Sequence, residues 1–336
     1  MNSKQQFVNK ITEARRACDS YNAKTLYNSV KKLSHDIYGK KSHFIFELIQ
    51  NAEDNSYQKG NTPTLLFSLK ENNEKIELII ENNEKGFVED NVEALCDVGE
   101  SKKSKNQGYI GEKGIGFKSV FQITSCPKIF SSGFKFSLPE KDEKSGLGYI
   151  VPIWIDKIPE NNKHDWTTIV LPIDKPDKYD VKDIIKDLHD IKPETILFLE
   201  KLQSMEIQVS IHDEKYEILI EKDSLKKPLL ELRYKKKHDE REDSKSLSFW
   251  FTSKKFTKPE KITAEKREEV RYRMVSVAIP VNSKEISGEL FAYLPVWGNT
   301  GLPFMINADF LLTTDREKIQ EDEKWNHWLR GCIADV

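Results

Sequence analysis

Two hydrophobic periods organise the chain. Over residues 4–37 apolar positions recur at helical spacing, with Phe7, Ile11 and Ala14 marking one stripe and Leu26, Val30 and Leu33 another. Gly39, Lys40, Lys41 and Ser42 interrupt that pattern, and a further helix is predicted from "FELIQNAEDN". Here Phe44, Ile45, Phe46, Leu48 and Ile49 are apolar neighbours of Glu47, Asn51 and Asp54. Residues four and seven apart share a helix face. Glu47, Asn51 and Asp54 therefore form one strip of carboxylate, amide and carboxylate. Taken alone, the strip reads as the solvated face of an amphipathic surface helix.

The period then shortens. "TLLFSLKENNEKIELIIENN" gives two β-rich runs around Glu71–Glu74, a predicted hairpin. "VEDNVEALCDVG" reads as a short helix with Glu89 or Asp90 near its start, followed by the polar, Gly-rich loop "GESKKSKNQGYIGEKGIG" and the apolar run "FKSVFQI". Strands are predicted in "KIFSSGFKFSL", "GYIVPIWI" and "WTTIVLPI", and helices in "YDVKDIIKDLHDI" and "ETILFLEKL". Beyond them "MEIQVSIHDEKYEILIEK" is a hairpin, "SLSFWFTSKKF", "RYRMVSVAIPV" and "GELFAYLPV" are strands, and "KWNHWLRGCIADV" is an amphipathic helix without a terminating signal. The order predicts an α/β sandwich over residues 1–177, including an N-terminal helical extension. A second, mixed α/β domain is expected over residues 178–336, with the boundary near Pro176–Tyr179 and a chain that continues past its last residue.

Composition narrows the function classes. Lys and Arg number 53 against 55 Asp and Glu, a net charge of −2, so no global field directs the chain to nucleic acid or anionic lipid. The mixed-charge run "YKKKHDEREDSK" is expected to be a solvated loop or the end of an extended hairpin. Cys18, Cys96, Cys126 and Cys332 are scattered without metal spacing, as free thiols in a reducing compartment would be. The N-terminus lacks the apolar core of a signal peptide, and no apolar run approaches the roughly 20 residues that span a bilayer. A soluble, cytoplasmic protein is expected.

"GYIGEKGIGFKS" sets Gly108, Gly111, Gly114 and Gly116 before an apolar helix, with Lys113 and Lys118 alongside. Glycines there let backbone N–H groups approach an anion, and a helix N-terminus adds its positive dipole end. No Gly-Lys-Ser/Thr follows, so this is not a Walker A loop, and a preceding polar loop instead of a strand sets it apart from the Rossmann fingerprint.

Taken in order, these features resemble the GHKL ATPases, a superfamily that includes the ninety-kilodalton heat-shock chaperones, MutL mismatch-repair proteins, type II topoisomerases and histidine kinases. Their helix motif E-x-x-x-N-x-x-D is matched by Glu47, Asn51 and Asp54, and G-x-x-G-x-G by Gly111, Gly114 and Gly116. The Thr of a late strand is matched by Thr167 or Thr168. "LSHDIY", "ENNEKGF" and "TGLPFMINADFLLTTDREKI" further resemble the subgroup with sacsin-type and NO VEIN-like N-terminal ATP-binding modules, over about residues 5–331. The resemblance implies a Bergerat-type α/β sandwich, then a transducer-like domain. It also implies ATP and Mg²⁺ as cofactors, with slow hydrolysis that moves a lid and the second domain. In that reading Glu47 is the general base and Asn51 the Mg²⁺ ligand. Asp54 stands towards the nucleoside or behind the ligands. Gly108, Gly111, Lys113, Gly114, Ile115, Gly116, Phe117 and Lys118 form the phosphate loop and its exit, and Thr168 (or Thr167) supports the base contact.

Departures from the family pattern lie at the strand end. "NNEKGF" puts Asn82 where the family has its adenine-binding Asp, Glu84 on the first Gly and Gly86 on the second, with Phe87 after it. A carboxylate only accepts, whereas an amide can flip and donate, so guanine stays open beside adenine. Arg316, in Thr314-Asp315-Arg316-Glu317, resembles the arginine that heat-shock chaperones extend to the γ-phosphate; the competing reading is a surface pair with Glu317 or Glu321. His35 in "LSHDIYGK" stands twelve positions before Glu47, too close for a phosphoacceptor hairpin, and reads as a capping or packing histidine. Trp297, Trp325 and Trp328 read as core or partner contacts. The family's roles are chaperone-like or, in bacteria, antiviral defence with nuclease effectors; a non-hydrolysing nucleotide sensor is the second reading. A protein client or effector nuclease is the implied partner, residues 1–37 are where a homodimer would exchange segments, and direct binding of nucleic acid or membrane is not expected.

Overall fold

The computed structural model describes residues 2–36, 43–72, 75–98, 116–157, 165–212, 214–223, 228–264, 267–281, 288–313 and 318–336. Helix α1 (Ser3–Arg16) starts at Asn2, whose side chain accepts the Gln5 N–H at 2.8 Å, and α2 (Ser20–Asp36) follows. The buried line on α1 is Val8 and Thr12, flanked by Phe7 and Ile11, whereas Ala14 is exposed; on α2 it is Ala23 and Val30. Helix α3 (His43–Asp54) carries the polar strip. Strands β1 (Thr64–Asn72) and β2 (Lys75–Asn82) form the expected hairpin, with Asn72 opposite Lys75. Helix α4 (Glu89–Cys96) opens with the Val88 N–H donating to Asn91 Oδ1 at 2.8 Å. A short 3-10 helix, Gly116–Gln122, replaces the expected apolar helix after the glycine loop. Phe117 to Phe121 are all buried, so no single stripe orients this segment.

Strands β3 (Lys128–Ser131) and β4 (Phe134–Ser137) meet at Ser132 and Gly133, both at positive φ. "GYIVPIWI" contributes only the two-residue β5 (Ile153–Trp154) instead of a full strand, and β6 (Thr167–Pro172) follows. Gly148 to Pro152 are buried one after another instead of alternating, which explains the difference. Helix α5 (Val181–His189) is capped by Asp180, which accepts the Lys182 N–H. "ETILFLEKL" is likewise not a full helix: one 3-10 turn, Pro193–Ile196, leads into Leu197–Leu199, all buried. Pro193 supplies no N–H, and the apolar run is buried on every side, so nothing sustains an amphipathic helix there.

The remaining strands are β7 (Ser204–Ile211), β8 (Glu214–Asp223), β9 (Leu229–His238), β10 (Arg241–Thr257), β11 (Tyr272–Pro280), β12 (Glu289–Ala292), β13 (Leu294–Asn299) and β14 (Met305–Ala308), before helix α6 (Lys324–Ile333). The fold is mixed α/β. The described strands form one mixed sheet in the order β13-β12-β14-β11-β10-β9-β8-β7-β1-β2-β6-β3-β4-β5. Strand β7 runs parallel to β1, so the sheet continues across the boundary expected near Pro176–Tyr179.

Strand alternation divides the core in two. Leu65, Phe67 and Leu69 of β1, Leu78 and Ile80 of β2 and Met205, Ile207 and Val209 of β7 face the helices. Each such side chain is worth about 1.5–3 kcal/mol over its exposed state. Ile79, Phe130 and Val170 point to the other face. A separate cluster packs α6 through Trp325 and Leu329 on Val275, Ala308 and Phe310.

Candidate functional site

Burial overturns the solvated reading of the α3 strip. Glu47 is 7 % exposed and Asp54 3 %, with Asn51 half-buried between them, and Gln50 and Glu53 on the same helix are buried as well. Carboxylates are rarely this enclosed without a specific reason. Glu47 lies directly against Gly116, where a β-carbon would collide with Glu47 Oε2. The last glycine of the loop motif thus sits against the first residue of the helix motif, and a side chain there would have to displace the Glu47 carboxylate. Phe117 roots that junction in the core.

The strand end builds the other side of the site. Asn82 donates from Nδ2 to Tyr57 Oη (2.9 Å) and to the Thr64 carbonyl (2.8 Å), while its Oδ1 accepts from Asn55 Nδ2 (3.1 Å). A backbone carbonyl can only accept, so the network assigns the amide nitrogen to Thr64 and leaves Oδ1 as the atom with acceptor capacity to spare. Burial pushes the Tyr57 phenol well above its ordinary range.

Thr167 stands opposite Asn82 on β6 and shares its face. Its hydroxyl donates to Glu84 Oε1 at 2.7 Å and lies 2.5 Å from Ser131 Oγ. Thr168 pairs with Glu81 on the opposite face, where its buried hydroxyl has no hydrogen-bond partner among the described residues. Gly86 adopts φ +86°, and a β-carbon there would strike Ser132 Oγ; the Phe87 N–H donates to Ser131 Oγ at 2.8 Å. Asn55, Tyr57 and Glu84 were not singled out by sequence as site residues with roles. The signal available was the polar run Glu81–Glu84 closing an apolar strand, which marks buried polar company.

Lys118 is enclosed by the protein. It is 1 % exposed, and its ammonium donates to the carbonyls of Leu95 and Tyr149, the latter at 2.6 Å, tying α4 to the segment after β4. Burial lowers its pKa to about 8. The unfolded chain therefore binds the proton more tightly than the native state between about pH 8 and the ordinary lysine value, and native stability gains from this residue as pH rises through that window. Between pH 8 and about pH 9.5, where tyrosines of ordinary pKa are still mostly protonated, the urea midpoint of wild type should gain on that of Lys118→Met. Equal slopes would refute the assignment.

Gly108, Gly111, Lys113, Gly114, Ile115 and Arg316 lie outside the described residues, as do the side chains of His35 and Trp297. Trp325 is fully buried and meets Trp328 edge to face at 5.2 Å, as core residues do. The mixed-charge run forms the end of the β9–β10 hairpin, where Lys237 stands opposite Glu242 and Lys236 opposite Asp243. Its charges are matched laterally. Cys18, Cys96, Cys126 and Cys332 are free thiols. Among the described residues no cluster of His, Cys, Asp and Glu has the makings of a metal site, and no helix is long and apolar enough to cross a membrane.

With that geometry in place, residues 24–140 match the Sacsin domain family. The span carries α3, the β1–β2 hairpin, Gly116 and the β3–β4 turn, which is the whole described site except Thr167. The chain is also 33 % identical to Protein NO VEIN of Arabidopsis thaliana over 334 residues, 90 % of this chain and 11 % of that protein. To human Sacsin it is 27 % identical over 107 residues, 28 % of this chain and 2 % of that protein. The chain is sacsin-like and NO VEIN-like, and it spans only a small part of either relative.

Proposed function

We propose that this chain is a Bergerat-type, GHKL-class module that binds ATP with Mg²⁺ and hydrolyses it slowly. The observation that carries the reading is the enclosed Glu47 carboxylate packed on Gly116, one helical turn from Asn51. A carboxylate so placed fits a general base that orients water and takes its proton. The half-buried Asn51 fits a single amide ligand for Mg²⁺, a cation that fills the rest of its shell with water and phosphate oxygens and neutralises phosphate charge when bound. Gly116 leaves the room beside Glu47 that a side chain would fill. At the strand end, Asn82 Oδ1 can accept the amino group of adenine, whereas both protons of its amide are committed to Tyr57 and Thr64. That arrangement favours adenine over guanine. Thr167, not Thr168, shares the face of Asn82 and is the better candidate to support the base contact. The sacsin-like span supports a chaperone-like setting, in which the nucleotide cycle would act on a protein partner.

Calorimetry with ATP, ADP and GTP in Mg²⁺, beside phosphate release, tests this. Wild type should bind ATP and discriminate against GTP. Glu47→Ala should still bind ATP while turnover falls about a hundredfold or more. Asn51→Ala should lose the magnesium-dependent part of binding. Binding without turnover in wild type would leave a nucleotide sensor, and absence of nucleotide binding would end the proposal.

A further inference from the structure

A second concave surface lies away from the α3 strip. A cleft of about 1650 Å³ opens between residues 197–203 on one side and β10, β11 and β14 on the other. Pockets for small molecules hold roughly 300–1,000 Å³, so this one has room for a length of polypeptide. Tyr272 and Met274, two positions apart on β11 and hence on one face, line it while 49 % and 41 % exposed. Phe198, Leu230 and Phe251 extend the apolar lining.

The charges around this lining are not equally available. Of the cations, Lys222 donates to the carbonyls of Ile196 and Leu199, and Lys258 to those of Arg267 and Glu268 at 3.1 and 2.9 Å. Arg273 Nε is held by Asp309 Oδ2 at 2.6 Å. These three cations keep their charge but are half-buried and turned onto protein acceptors, whereas the exposed charged residues of the lining are Arg271 against Glu200, Glu260, Glu268 and Glu269. On the acidic side Asp223 is paired with Arg233, while Glu200, Glu260 and Glu268 also line the cleft. An occupant therefore meets apolar side chains within a net acidic rim.

One of the five described non-glycine residues at positive φ also lines the cleft. Tyr293 sits at φ 70°, and its N–H is held by Asn307 Oδ1 at 2.7 Å.

We propose that this cleft binds an extended polypeptide segment of another protein that carries basic and apolar side chains. The lysines or arginines of the segment meet Glu200, Glu260 and Glu268, and its apolar side chains cover Tyr272 and Met274. The proposal does not depend on the nucleotide reading.

Fluorescence anisotropy at ~0.15 M salt, with a fluorescein-labelled peptide of alternating lysine and leucine, provides the test. Wild type should bind it at least about tenfold more tightly than the matching glutamate–leucine peptide. Binding should weaken about tenfold in Glu260→Lys/Glu268→Lys and again in Tyr272→Ser/Met274→Ser, but not in Glu143→Lys, an exposed carboxylate outside the cleft. The cleft positions are at the surface, and unchanged circular dichroism would confirm that these variants fold. Equal affinity for both peptides, indifference to the cleft variants, an equal effect of Glu143→Lys, or no binding would each overturn the proposal.

Discussion

Asp309→Ala is expected to cost about 3–5 kcal/mol of stability and to release α6 first. Asp309 and Arg267 are each 1 % exposed, and Arg273 is 13 % exposed. One carboxylate serves both guanidinium groups: Oδ2 accepts from Arg267 Nε at 2.8 Å and from Arg273 Nε at 2.6 Å, and Oδ1 accepts from Arg267 Nη2 at 3.1 Å. Both arginines stand over the Trp325 ring, which adds cation–π attraction, and the Trp325 Nε1–H donates to the Asp309 carbonyl at 2.7 Å. Truncating the carboxylate strands two cations, one wholly enclosed, and the damage far exceeds what the ion pair contributes against an apolar replacement. Asp309→Asn keeps an acceptor oxygen and should fall between. Arg267→Met combined with Asp309→Leu removes the enclosed cation together with its carboxylate, leaves only the partly exposed Arg273 without that partner, and should recover part of the loss. Urea unfolding gives the size, and amide exchange along α6 gives the location. A loss below about 1 kcal/mol, or exchange in α6 no faster than elsewhere, would contradict this account.

This cluster also shows where reading the sequence stops. Asp309 lies inside "INADFLL", quoted for its family resemblance, yet its partners Arg267 and Arg273 are 42 and 36 positions away and carry no local mark of pairing. Lys118 is a similar case. A lysine after a glycine loop invites a phosphate, but the carbonyls that take its ammonium belong to Leu95 and Tyr149, which only tertiary packing brings near. By contrast, the β1–β2 and β7–β8 hairpins were legible because alternation and turn residues are local properties. The helix of the Glu47 strip was legible for the same reason. Its burial was not, since periodicity defines a face without saying what covers it. The uninterrupted apolar runs "GYIVPIWI" and "ETILFLEKL" misled because periodicity cannot assign a segment buried on all sides. The choice between Thr167 and Thr168 waited on register: only when Asn82 is set opposite Thr167 does alternation decide which hydroxyl shares its face.

Glu53→Ala is the second large effect, expected at about 3 kcal/mol, because one side chain serves three successive backbone donors. The Glu53 carboxylate accepts the N–H groups of Glu200 (2.7 Å), Lys201 (2.9 Å) and Leu202 (2.8 Å) and is 4 % exposed. Burial pushes its carboxyl above the ordinary range against the pull of those N–H groups. Without it the donors lose their partner where water has little access, each at a cost of about 1 kcal/mol or more. Glu53→Gln should be milder, since its carboxamide oxygen still accepts while its nitrogen turns a donor towards a donor. The contact also joins two places. Glu53 rides on the helix of Glu47 and Asn51, and Glu200 lines the cleft above Tyr272 and Met274. Lys201 reinforces the joint from the other side, its ammonium donating to the carbonyls of Asp54 (3.2 Å) and Asn55 (2.9 Å), and Asn55 in turn donates to Asn82. If ATP repositions α3, the cleft wall must follow through Glu53 and Lys201, and by linkage a cleft peptide must alter ATP affinity by the same factor. Titrating the lysine–leucine peptide with and without ATP, in wild type and in Glu53→Gln, separates scaffold from transmitter. A ratio of affinities well away from one in wild type that collapses towards one in Glu53→Gln marks a transmitter. An unchanged ratio beside lowered stability would make Glu53 a strut alone.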